Sequence, residues 1–411
     1  MKQRKKPKRK LRIVRDLERK KEQKAGKPKR HIRKSLILVL ILCVTAGLLA
    51  WQGPIVTANA RLRDLGYNDT TIRNIRKQNL QDTILKHKYY SEYLAESIND
   101  GSLEKDYIDL YTVVSDRKLE AKDFLLYARL ADKGYEEDQI LDLFKNLQFY
   151  EIVPLLVFDY QWDENPYIRD CKAHEDKNSE DAFDLSGSYL TKYKLTEESD
   201  TLGNTDVLVN SSSYLPEAYV PDDLTDIDTQ YAVNGVSLVK EAADAFTQMS
   251  KASVDAGRNF YASLGYRSYA DQNAAYQSLL NQMDQDQADE ETFRPGFSEH
   301  QTGLAVNVSP TYEKKDFAKS EVMKWLNEHC TEYGFIERYP VGKSLITGVD
   351  DEPDHYRYLG RKLAEAVTST HLTYDEYYAL YLADWIEKKD KPKQHILNEA
   401  DPENSLAEKK S

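Results

Sequence analysis

From about Asn59 to Asp159, apolar residues recur at three- and four-residue spacing, with few runs that alternate as a strand would. That periodicity predicts short amphipathic helices. A weak repeat lies inside it. Leu65-Gly66-Tyr67-Asn68-Asp69-Thr70-Thr71-Ile72 matches Lys133-Gly134-Tyr135-Glu136-Glu137-Asp138-Gln139-Ile140 in its Gly-Tyr pair, polar cluster and Ile. In both copies glycine can end one helix and the polar cluster can start the next. Asn99-Asp100-Gly101 marks a further break. The expectation over 59–160 is a small bundle of short helices, serving as a stalk or as a partner-binding region. Residues 161–205 turn polar, with Asp163-Glu164-Asn165-Pro166, Ser186-Gly187 and Leu202-Gly203-Asn204 as turn signals, and read as a linker.

The pattern changes again beyond 206. Val207-Leu208-Val209 predicts a short strand, and Val239 to Ala256 an amphipathic helix packing Ala242, Ala243, Ala245, Phe246 and Met249 inward. Phe260 to Leu264 alternates as a strand, and Ala270 to Gln282 follows as a helix. Leu304, Val306 and Val308 alternate into a half-buried strand. Lys324 to Tyr333 is helical and stops at Gly334, His355 to Leu359 is a strand, and Arg361 to Thr368 a helix. Thr373-Tyr374-Asp375-Glu376 is a capping box opening a last helix to about Ile386. Helices and short strands without regular βαβ alternation imply an α+β domain over 206–387, with a small antiparallel sheet flanked by helices. A polar tail occupies 388–411.

Charge refines the picture at the N-terminus. The net charge of −12 hides 18 Lys/Arg against 3 Asp/Glu in residues 1–34, leaving 39 basic against 66 acidic residues beyond. An acidic body is a poor partner for nucleic acid, since phosphate contact needs the opposite sign. Ser35 to Trp51 is uncharged and nearly all apolar, the short end for a membrane span, and Gly53 to Ala58 can extend it. A cleaved signal peptide is the rival reading, with Ala58-Asn59-Ala60 as a small-residue cleavage site, but the basic region is too long for its leading part. The expectation is therefore a transmembrane anchor at 35–56. The basic tail would lie in the cytoplasm and the C-terminal domain outside the cell membrane. Of three cysteines, Cys43 falls in the span, while Cys171 and Cys330 fall on the outer side, where a disulfide could persist.

Candidate chemistry gathers in two places. Ser298-Glu299-His300-Gln301-Thr302-Gly303-Leu304-Ala305-Val306-Asn307 places a histidine on a turn and a polar residue seven positions later on a strand. Glu352-Pro353-Asp354-His355 supplies a second histidine with an acid three residues before it. Two imidazoles and a third donor are the ligand count of a hydrolytic zinc site. His300, Asn307 and His355 are the candidate ligands, Glu352 the candidate general base, and Arg267 the cation for a substrate carboxylate or a developing oxyanion. Plain alternatives exist for each: a structural ion pair for Arg267, and a solvated acidic turn for Asp350, Asp351 and Asp354. Ser115-Asp116-Arg117-Lys118 fits S-x-x-K, but its companion S-D-N and K-T-G motifs are absent. Gly342-Lys343-Ser344 lacks the first glycine of a phosphate-binding loop, which is Glu337 here.

These blocks resemble the VanY-type D-alanyl-D-alanine carboxypeptidases and related L,D-carboxypeptidases. The similarity runs from about Val207 to Tyr378. It includes Leu215 to Leu224, Gly265-Tyr266-Arg267-Ser268-Tyr269 with Gln272, Ser298-x-His300-x-x-Gly303-x-Ala305, Tyr333 to Pro340, Ile346-Thr347-Gly348, and Glu352 to Gly360. The resemblance implies one zinc per chain on His300, residue 307 and His355, with Glu352 as base. It places Arg267, Tyr266, Gln272 and Ser298 on the substrate, a peptidoglycan stem peptide losing its terminal D-alanine. The chain departs from the family pattern at the chemistry. Asn307 stands where the family has Asp, and Val349 to His355 stands where it reads Tyr-x-Tyr-Glu-Pro-Trp-His. An amide oxygen brings no negative charge, so zinc affinity should fall. Two readings follow: a working metallo-carboxypeptidase, or a relative that keeps the groove as a binding or scaffold module.

Overall fold

The computed structural model describes residues 42–44, 55–157, 166–173, 193, 196–311, 317–349 and 351–385. The basic tail at 1–34, nearly all of the apolar stretch at 35–56, much of 161–205, Asp350 and the tail at 388–411 lie outside the described residues. Among the described residues, no helix is long and apolar enough to cross a membrane. The chain divides into two compact units, one ending at Leu103 and one beginning at Glu104.

The first unit holds α1 (Asp69–Lys77), α2 (Gln81–His87) and α3 (Glu92–Asp100). Asn68 caps α1 by accepting from the backbone of Thr70 and Thr71, and Ser91 caps α3 by accepting from Leu94. Ile72, Ile75, Ile84, Leu94 and Ile98 are its buried stripe. The sequence repeat corresponds to one recurring turn. Gly66 and Gly134 adopt φ of 116° and 112°, and the following tyrosine amides reach back to Leu62 and Leu130 carbonyls at 3.1 and 3.0 Å. This is the glycine stop that satisfies orphan helix carbonyls.

In the second unit, α4 (Ala121–Lys133) and α5 (Glu137–Asn146) open with capping boxes at Glu120 and Glu136. Arg129 Nε of α4 donates to the Leu380 carbonyl at 3.0 Å, tying this helix to the C-terminal end of the fold. Two small sheets follow: β1 (Glu197–Glu198) with β2 (Ser213–Tyr214), parallel, and β3 (Leu224–Asp226) with β4 (Ser237–Val239), antiparallel. The main sheet has four antiparallel strands in the order β5-β6-β8-β7, where β5 is Phe260–Leu264, β6 Ala305–Pro310, β7 Phe335–Tyr339 and β8 Glu352–Tyr358. Helix α6 (Lys240–Asp255) packs Ala242, Ala243, Phe246 and Met249 against Phe260, Val306, Val308, Phe335 and Tyr356. Helix α7 (Tyr269–Leu280) follows β5, α8 (Glu321–His329) precedes β7, and α9 (Arg361–Thr370) and α10 (Tyr374–Tyr377) close the domain. The α+β architecture agrees with the sequence expectation.

Two local expectations change, and one open question is answered. Val207-Leu208-Val209 is buried but forms no strand, because the Val207 carbonyl takes its hydrogen bond from Arg357 Nη2 at 2.7 Å instead of from a neighbouring strand. The last helix opens on the Thr373 capping box but breaks at Ala383, and Ile386 lies outside the described residues. A widened turn over Tyr378–Leu382 lets the Ala383 amide reach Tyr378, and Ala383 is already extended. Cys171 and Cys330 are both buried, and no disulfide joins them.

Candidate active site

Strands β6 and β8 are neighbours, and their register sets Asn307 directly opposite His355. Directly opposed residues share one face of a sheet. His300 arrives from the single tight turn Glu299–Thr302 that precedes β6. Ser298 starts that turn by accepting from the His300 amide at 3.4 Å, and Gly303 ends it with φ of 70°. A Cβ at Gly303 would come within 3.0 Å of Leu224, so the turn is held close against β3. The result is that the rings of His300 and His355 stand 4.9 Å apart, centroid to centroid, at 54°.

The loop after β5 brings the cation. The Arg267 amide donates to the His300 carbonyl at 3.1 Å, and Arg267 Nη1 donates to Gln272 Oε1 at 3.0 Å. Gln272 is buried and is itself fixed by donating to the Phe293 carbonyl at 2.6 Å. Arg267, Ser298, His300, Asn307, Glu352 and His355 line one cavity, with Gln272 on its wall. Gln272 thus both lines the cavity and braces Arg267. Tyr266 is half-buried and stands outside that lining.

The two imidazoles are electrostatically unlike. Burial, the nearby His355 and the Arg267 charge push His300 down to about 3. Burial also disfavours a charge on His355, but the carboxylates of Glu299 and Glu352 outweigh it and lift that imidazole to about 9. His355 Nδ1 lies 3.1 Å from Glu352 Oε2, on the cavity side. His355 Nε2 points inward, 3.6 Å from Glu299 Oε2, too long for a hydrogen bond but within reach of charge attraction. Tyr339 meets the same ring edge-to-face at 4.8 Å.

The donor set can be tested for a metal from its own polar atoms. His300 Nδ1, Asn307 Oδ1 and His355 Nε2 are all buried without a hydrogen-bond partner. Two imidazoles and an amide oxygen are donors of the kind zinc takes, with the Glu299 carboxylate 3.6 Å behind His355 Nε2. The fit lacks a first-contact carboxylate. Among the described residues, no three His, Cys, Asp or Glu side chains group to share an ion.

Sequence reading missed the charges that hold this site. Glu299 Oε1 accepts from both Arg338 Nε and Arg357 Nη1. Arg338 continues to Asp375 on α10 at 2.5 and 3.1 Å, and Asn210 Nδ2 also donates to Asp375, at 2.8 Å. The available signal was two arginines at inward positions of apolar strands, since buried cations require buried anions.

Residues 235–361 match the family model for VanY, the D-alanyl-D-alanine carboxypeptidases. The chain is 34% identical over 220 residues to the putative carboxypeptidase YodJ of Bacillus subtilis, covering 51% of this chain and 80% of that protein. The chain belongs to the VanY family. It is also 30% identical over 213 residues to a D-alanyl-D-alanine carboxypeptidase of Enterococcus faecium, covering 49% of this chain and 67% of that one. Among solved structures, the LD-carboxypeptidase LdcB is similar at 33% identity, over 46% of this chain and 95% of its own, with a TM-score of 0.43. A VanY D,D-pentapeptidase in complex with Zn(II) is similar at 29% identity, over 42% and 98%, with a TM-score of 0.37. Within the VanY match lie Arg267, His300, Asn307, Arg338, Glu352, His355 and Arg357, whereas Asn210 and Asp375 lie outside it.

Proposed function

We propose that this chain is a zinc-dependent carboxypeptidase that removes the terminal D-alanine from peptidoglycan stem peptides, with D,D- or L,D-specificity. The observation that carries the reading is the meeting of His300 and His355, 4.9 Å apart, on a cavity that also presents Glu352 and Arg267. His300, Asn307 and His355 would hold the ion. Zinc supplies Lewis acidity to such a site. Glu352, with a side chain 36% exposed, takes a proton from the attacking water and returns it to the departing amine. Arg267, braced by Gln272, receives the terminal carboxylate through its planar fork. A membrane anchor at 35–56 would hold this chemistry at the outer face of the cell membrane, a reading supported by the apolar run and the basic tail before it.

Asn307 favours a second reading, a non-catalytic module that binds wall peptides. The two separate in one experiment on the full-length zinc-loaded protein, given a pentapeptide and a tetrapeptide substrate. The enzyme releases D-alanine from at least one of them, and Glu352→Gln lowers that rate about 10²- to 10⁴-fold while zinc stays bound. Peptide binding without release from either substrate would establish the module instead.

A further inference from the structure

Asn307 Nδ2 donates to Asp354 Oδ2 at 3.2 Å. An ionised carboxylate has only acceptors, so this contact decides which way the amide is turned. The nitrogen faces Asp354, and the buried Oδ1 faces His300, without a hydrogen bond of good geometry to it. Asp354 is half-buried and stands outside the cavity lining. Donation from an amide N–H to an anion draws electron density toward the amide oxygen, which strengthens that oxygen as a donor.

We propose that Asp354 is a positioning residue that orients and polarises the Asn307 amide, so that the pair supplies the third metal donor. This rests on the zinc-carboxypeptidase reading. The negative charge missing from position 307 is present one hydrogen bond further out, on the strand that carries His355. Outer partners of this kind govern metal affinity by about 10- to 100-fold. The arrangement also makes the two positions interdependent. A carboxylate at 307 would stand against the carboxylate of 354 at roughly the 3.2 Å that now separates amide nitrogen from oxygen, and like charges at that distance repel.

The test is the zinc dissociation constant of the full-length protein, measured by competition with a chromophoric chelator. Thermal unfolding of each metal-free variant serves as the folding control. Asp354→Ala should weaken zinc binding about 10- to 100-fold. Asp354→Asn, whose amide oxygen still accepts from Asn307, should lose less. In the Asn307→Asp background the sign should reverse: N307D/D354A should bind zinc more tightly than N307D alone. Equal affinity of wild type and D354A would overturn the proposal while leaving the zinc reading intact. So would an equal loss from D354A in both backgrounds, which would mean that Asp354 acts without the amide. A wild-type chain that binds no zinc, beside an N307D/D354A variant that does, would overturn both.

Discussion

Glu299 Oε1 accepts from Arg338 Nε at 2.8 Å, and neither side chain has any exposure to solvent. With Arg357 and Asp375 they form two cations and two anions in a space that water does not reach. Burial alone would raise the Glu299 carboxyl, but the two guanidinium groups hold it far below the usual carboxylate range. Removing one partner strands the others. Glu299→Gln should cost about 3 to 5 kcal/mol of stability, read from denaturant unfolding. A loss below about 1 kcal/mol would show that the network contributes little.

Arg267 and Gln272 should separate in kinetics. Arg267→Met removes the carboxylate receptor and should lower kcat/KM by about 2 to 5 kcal/mol, or roughly thirtyfold and more. Gln272→Leu leaves the cation but removes its brace, so KM should rise while kcat changes little. If Q272L lowered kcat and kcat/KM equally, Gln272 would instead act only in the transition state.

Gly265 is required for close approach rather than for an unusual backbone angle. A Cβ there would meet the Ser237 carbonyl at 2.4 Å, the same oxygen that accepts from the Tyr266 amide at 2.7 Å. Backbone cannot yield as a side-chain tip can. Gly265→Ala should destabilise the protein by about 1 to 3 kcal/mol and lower D-alanine release, because the displaced loop carries Arg267. Calorimetry and the release assay on the same sample check both.

Stability should also depend on pH through Glu337. Burial, then the Asp351 charge, push its carboxyl from 4.5 up to about 7. The folded state therefore holds a proton that the unfolded chain has already lost. This contribution is complete below pH 4.5 and disappears as pH rises through 7. Glu337→Gln should flatten the Tm-against-pH curve between those values and leave the variant more stable than wild type at pH 8. An unchanged slope would remove Glu337 from the account.

Local pattern carried much of this fold into view. Alternation located β5 and β6, the 3.6 period located α6, and Gly334 stopped a helix as expected, at φ of 86°. The meeting of His300, Asn307 and His355 was legible from residue type, as the donor set of a zinc site, and from the family resemblance, not from spacing. Other features had no local signature. Arg338 finds Asp375 and Glu299 at separations of 37 and 39 residues, and Asn307 finds Asp354 at 47. Pairings of that range depend on strand order, which spacing does not report. Val207 failed as a strand for the same reason, its partner being an arginine 150 residues away.

Asp375 lies past residue 361, where the family match stops. As the chain leaves a ribosome, His300, His355 and both inward-facing arginines emerge before the carboxylate that completes their balance. Arg338 and Arg357 already hold the turn bearing His300 through Glu299, but the two buried cations share that one anion until α10 has docked. A chain halted short of α10 would therefore carry every residue of the family match with one buried positive charge left unbalanced beside its site.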